Sequence, residues 1–107
     1  FLQQIRQSLD NLADKQNVAI RFTAYADSVP LAGRQQRIYG DHDGLTKAIG
    51  RRVAVAVQES LGLESGAVES AGGGVQRPAA SNDTPRGRAL NRRVEVKITE
   101  GQPKLPE

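Results

Sequence analysis

Two hydrophobic periods alternate along the chain. In residues 1 to 14, FLQQIRQSLDNLAD, the apolar positions Leu2, Ile5, Leu9 and Leu12 recur at steps of three and four, with Gln, Arg and Asp between them. That spacing predicts an amphipathic helix lying on a core. Asn17 leads into VAIRFTAYAD, where Val18, Ile20 and Phe22 alternate with Ala19 and Arg21, the period of a half-buried strand ending near Asp27. Residues 28 to 43 mix Pro, Gly, Arg and Gln without a period and read as a long functional or mobile loop. A second helix is predicted over residues 44 to 60 with Asp43 as its N-cap. Its stripe of Leu45, Ile49, Val53, Val57 and Leu61 steps by four, so this face belongs in the core.

Gly62 breaks that helix, and a short strand follows near residues 67 to 71 before the glycine-rich turn GGG at 72 to 74. Loop, a short helical turn and a last strand over residues 92 to 99 complete the pattern, and GQPKLPE reads as a linker or frayed tail. The domain thus spans 1 to 99, with 100 to 107 as the tail. Strands joined through a helix need a crossover, so at least one pair is parallel. The expected fold is an α/β (α+β) two-layer sandwich: a small mixed sheet with both long helices on one face. It would accept one more strand ahead of residue 1, and a chain opening on Phe1 reads as a piece of something longer.

Composition narrows the function classes. A chain of 107 residues is one domain's worth, able to bury roughly two thirds of its unfolded surface. With two Phe, two Tyr and no Trp, the core is built from Val, Ile, Leu and Ala, and a flat aromatic platform for stacking bases is not expected. The net charge of +3 comes from 15 basic and 12 acidic residues interspersed through the chain, which argues against a nucleic-acid binder. Absence of cysteine excludes a disulfide framework and a thiolate zinc site. No apolar run approaches the roughly 20 residues that span a bilayer, so membrane insertion of this segment is not expected.

Catalytic groupings are equally sparse. His42 sits between Asp41 and Asp43; the three together read either as a divalent-metal cluster or as solvated loop and helix cap, and the second reading is preferred because ligands so close in sequence seldom converge without others. The serines have no patterned base partner. The triglycine lacks the following helix that a phosphate loop requires. The expectation is a binding module without cofactor or metal, and not an enzyme.

Arg92 and Arg93 stand side by side in GRALNRRVEV, residues 87 to 96. Neighbours in a strand point to opposite faces, so the two guanidinium groups serve different purposes. AYAD, LTKAIGRRV, GGGVQRP and SNDTPRGRALNRRVEV, taken together, resemble the OmpA-like C-terminal domain shared by OmpA, Pal and MotB. That family has a GHTD-like turn after a strand, a helix carrying LSxxRAxxV, a GxGxxxP turn and a closing NxTxxGRxxNRRVE. Here Asp27 matches the first motif, Leu45, Thr46 and Val53 the second, and Gly72, Gly74 and Pro78 the third. Asn82, Thr84, Gly87, Arg88, Asn91, Arg92, Arg93, Val94 and Glu95 match the last, the most specific of the four. The likeness covers residues 1 to 99 and lacks only the family's first strand.

The resemblance implies non-covalent binding of peptidoglycan through the diaminopimelate of its stem peptide, in the periplasm of a Gram-negative envelope. Diaminopimelate presents an ammonium and a carboxylate on one carbon, which calls for a carboxylate and a guanidinium a few ångströms apart. Asp27 and Arg92 are the expected peptidoglycan-binding residues, Arg93 pairing on the sheet face instead. One departure stands out: the family's helix arginine is replaced by Ile49, followed by Gly50 in place of Ala. Either Ile49 extends the core stripe, or the site is lost or re-aimed, with Arg51 or Arg52 reaching inward. Asp27 likewise has a structural alternative, capping its turn or pairing with Arg92. The rival reading is a degenerate domain of this fold acting as a structural or protein-interaction module.

Overall fold

The structure, a computed structural model, describes residues 2–10 and 18–100. In chain order these form α1 (Leu2–Asp10), β1 (Val18–Tyr25), α2 (Gly33–Tyr39), α3 (His42–Leu61), a 3-10 turn (Ser65–Ala67), β2 (Val68–Gly74), α4 (Pro85–Asn91) and β3 (Arg93–Glu100). Leu12, Asn17 and the tail from residue 101 lie outside the described residues. The three described strands lie in the order β2-β1-β3. β1 runs parallel to β2, with Ile20 opposite Val68, and antiparallel to β3, with Phe22 opposite Val96. The expected mixed sheet is therefore present.

Alternation along β1 sorts its side chains. Val18, Ile20, Phe22 and Ala24 are buried on the helix side, where Ile5 of α1 and Ala54 and Val57 of α3 join Val18, Ile20 and Phe22 in one core, flanked by Val94, Val96 and Ile98 of β3. Both long helices thus cover one face, as expected. The opposite face is polar and open: Arg21 lies 3.9 Å from Glu69, and Arg93 pairs with Glu95.

In the helices and β2, four boundaries or faces differ from the sequence expectation, each for a physical reason. α3 begins at His42, and its N-cap is Asp41 rather than Asp43, because the Asp41 carboxylate accepts the Gly44 N–H at 2.8 Å. The supposed loop from 28 to 43 contains α2, a helix with no buried residue; without a buried stripe it carries no period to read. Gly72–Gly74 are the end of β2, not a turn. A Cβ on Gly72 would lie 2.5 Å from the Lys47 nitrogen, and one on Gly73 would strike the Tyr25 ring.

The fourth difference concerns the face of α3. Its buried positions are Thr46, Gly50, Ala54 and Val57, while Leu45, Ile49 and Val53 are only half-buried. Small side chains let the helix settle onto β2, since a Cβ on Gly50 would come within 2.7 Å of the Ala71 carbonyl oxygen. That close seat turns the upper end of the i+4 stripe away from the core.

Two substitutions check this packing. Val57 is 2% exposed, so Val57→Asp places an unpaired carboxylate in the core and should abolish the cooperative thermal melt. Gly50→Val forces α3 away from β2 and should destabilise the domain by about 2 kcal/mol, lowering its melting temperature by roughly 10 °C. A Gly50→Val protein that melts with the wild type would contradict the close seat.

Candidate functional site

Parallel strands deliver the chain to the same end of the sheet, and the segments leaving β1 and β2 meet there. Ala26 N–H still donates to the Gly74 carbonyl at 2.8 Å, which holds the next residue, Asp27, against the sheet end. Asp27 is 7% exposed. One of its carboxylate oxygens accepts the Val29 N–H at 3.0 Å, turning the chain, and the other accepts from Nη1 of Arg92. Such a charge-assisted bond is stronger than a neutral one.

Arg92 does not open the last strand. It is the C-cap of α4, with φ −79 and ψ 91, and its N–H closes the helix on the Arg88 carbonyl. β3 starts one residue later. Arg93 therefore faces the open side of the sheet, donating from Nε to Glu95 at 2.8 Å and lying 4.1 Å over the Tyr25 ring. The adjacent arginines diverge because the chain passes from helix cap to strand between them.

Around the Asp27–Arg92 pair lies a cleft of about 460 Å³. Asp27, Arg88, Arg92, Gln35 and His42 supply its polar lining, and Leu31, Leu45 and Ile49 among others its apolar wall. Ile49 thus stands in the cleft rather than extending the core stripe. Arg51 and Arg52 do not reach inward: both are exposed, and Arg52 donates to the Tyr39 hydroxyl at 3.2 Å. Arg88, which the closing motif contains but which had no separate role among the expected site residues, is the second guanidinium of the cleft.

The cleft is held by groups with few alternatives. Nε2 of His42 bonds the Val29 carbonyl at 2.7 Å; a carbonyl only accepts, so Nε2 is the donor. Asp41 is engaged in capping, and no group of three metal-ligating side chains converges among the described residues. Asn91 is 1% exposed and uses its whole amide. Its oxygen accepts from the Ala79 and Ala80 N–H groups at 2.8 and 2.9 Å, and its nitrogen donates to the Ala80 carbonyl and Asn82 Oδ1. Asn82 Oδ1 also accepts from the Ser28 N–H at 3.3 Å, and its carbonyl accepts from Arg88 at 2.9 Å. A buried amide so fully paired locks the loop after β2 to α4 and to the residue beside Asp27.

Gly87 allows that lock to close, because a Cβ there would sit 1.8 Å from the Ser81 carbonyl oxygen. Thr84 caps α4 through the Gly87 N–H at 3.0 Å, with Pro85 in the first turn. Six residues of the closing motif, Thr84, Gly87, Arg88, Asn91, Arg92 and Arg93, thereby have a place: cap, close approach, cleft guanidinium, buried lock, cleft guanidinium, sheet-face guanidinium.

No family model matches the chain. Outer membrane porin F of Pseudomonas aeruginosa is 33% identical over 110 aligned positions, covering 88% of this chain and 31% of the porin. The cell wall anchor of the T6SS from Pseudomonas aeruginosa is 27% identical, covers 91% of this chain and 62% of its own, and superposes with a TM-score of 0.71. The C-terminal domain of Helicobacter pylori MotB, 23% identical, shares the fold with a TM-score of 0.75 over 94% of this chain and 71% of its own. The chain spans under a third of the porin and under two thirds of the anchor. Its helix-covered mixed sheet and the motifs at the end of that sheet agree: the chain has the OmpA-like fold and is similar in sequence to the OmpA-like C-terminal domains.

Proposed function

We propose that this domain binds peptidoglycan non-covalently through the diaminopimelate of the stem peptide, anchoring a longer envelope protein to the cell wall from the periplasm. The observation that carries the reading is the pairing of a nearly buried carboxylate with a guanidinium whose side chain is 56% exposed. Arg92 uses Nη1 on Asp27, and an arginine has five N–H donors, so others remain for a ligand carboxylate. The Asp27 carboxylate attracts the ammonium on the same carbon. Leu45 and Ile49 pack against the ligand's methylenes, and Arg88 adds positive potential.

Likeness to a protein described as a cell wall anchor supports the same reading, and the periplasmic domain of Helicobacter pylori MotB shares the fold. Among the described residues no helix is long and apolar enough to cross a membrane. The arrangement suits a binding module: Asp27 and Arg92 are paired, His42 holds the Val29 carbonyl and Arg88 the Asn82 carbonyl. Replacement of the helix arginine by Ile49 removes one partner for the carboxylate, and the domain is expected to bind more weakly than relatives that keep it. The same apolar wall favours the rival role in protein interaction, which the next experiment separates.

Sedimentation with purified diaminopimelate-type sacculi and thermal melts, run on wild type, Asp27→Asn, Arg92→Ala and the double variant, test the reading. Asp27→Asn keeps an oxygen for the Val29 N–H but loses the charge, so retention should fall about tenfold or more while the melt shifts by only a few degrees. A purely structural pair gives the opposite result: no retention by wild type, and strong coupling of the two substitutions in a double-mutant cycle. Ile49→Arg should raise affinity, by a factor of roughly 30 or more for a fully hydrogen-bonded charge pair. A folded Ile49→Arg protein with an unchanged binding curve would show that Ile49 is not what weakens the cleft.

A further inference from the structure

Acids and bases are interspersed along the chain, but its net charge comes from one stretch. Residues 33 to 52 contain five cations, Arg34, Arg37, Lys47, Arg51 and Arg52, against two acids, Asp41 and Asp43, an excess equal to the chain's whole +3. The rest is balanced. Four of the arginines lie on the outer sides of α2 and α3: Arg34, Arg37, Arg51 and Arg52 are all exposed, and none makes an ion pair among the described residues. Asp41 is turned to the start of α3, where it caps the helix. The bond from Arg52 to the Tyr39 hydroxyl, at 3.2 Å, ties the two helices side by side. Ile38, 58% exposed, stands next to Arg37 and one turn from Arg34.

We propose that the outer surface of α2 and α3 binds the phosphodiester headgroups of an anionic phospholipid membrane. Guanidinium groups match phosphate oxygens in geometry as well as charge. Basic residues flanking an exposed apolar side chain suit an interface with charged headgroups above and acyl chains below. A soluble polyanion would engage the arginines and leave Ile38 in water. Asp27 and Arg92 take no part, so the inference stands independently of peptidoglycan binding. Contact is peripheral and involves no insertion of a helix.

Flotation with vesicles of phosphatidylglycerol mixed into phosphatidylcholine, against phosphatidylcholine alone, tests it at low and physiological salt. Wild type should float with the anionic vesicles only, and less as salt rises. Each arginine replaced by alanine should weaken binding by about fivefold, and Ile38→Ser should weaken it further. Arg21→Ala and Lys97→Ala on the open sheet face serve as controls and should float like wild type. All seven positions are exposed, so sacculus sedimentation should be unchanged and melts should move little. Three results would each overturn the proposal: no preference for anionic vesicles, a fourfold Arg→Ala variant that floats like wild type, or soluble polyphosphate bound as tightly as vesicles with Ile38→Ser indifferent.

Discussion

The close seat of α3 on β2 governs the molecule. Gly50 against the Ala71 carbonyl and Gly72 against the Lys47 backbone leave no room for a side chain between helix and strand. Thr46 is completely buried in the same contact, its hydroxyl accepting the Gly74 N–H at 3.0 Å and donating to the His42 carbonyl. Because the helix touches the sheet with its smallest residues, its larger apolar side chains are directed sideways. Lower down they complete the core with Val57. Higher up they leave the core and become the wall of the cleft. The shape of the site is therefore set by backbone proximity some distance from the charged pair.

Much of this was legible in the sequence, and the parts that were not share a cause. β1 alternates cleanly because one of its faces is buried and the other is not. The mixed sheet followed from connectivity. The i+4 stripe of α3 located the helix but misjudged its face, since a hydrophobic pattern weighs large residues while the actual contact is made by glycine, alanine and threonine. α2 escaped notice for the converse reason: a helix with no buried residue has no apolar period. The triglycine read as a turn because glycine signals turns more often than close contacts.

The site was legible where chemistry and topology agreed. Asp27 follows one strand and Arg92 precedes another, and both reach the same end of the sheet because β3 is antiparallel to β1. Opposition of Arg92 and Arg93 was predictable from alternation, although its cause is the boundary between α4 and β3. Asn91 and Asn82 were visible only as motif letters. Nothing local marks an asparagine as buried, and its four hydrogen bonds join segments 9 to 12 residues away, which are adjacent only in the finished fold.

Tyr25 lies on the sheet's open side, 8% exposed, with Gly73 beneath its ring and the Arg93 guanidinium above. The chain has no tryptophan and one other tyrosine, Tyr39, on the outer helix. Circular dichroism in the near ultraviolet depends on aromatic rings held rigidly in asymmetric surroundings, a signal lost when tertiary packing is lost. Tyr25 touches β2 and β3 at once, so the domain carries its own optical gauge of whether the three strands have come together, and no label need be attached to follow assembly of the sheet.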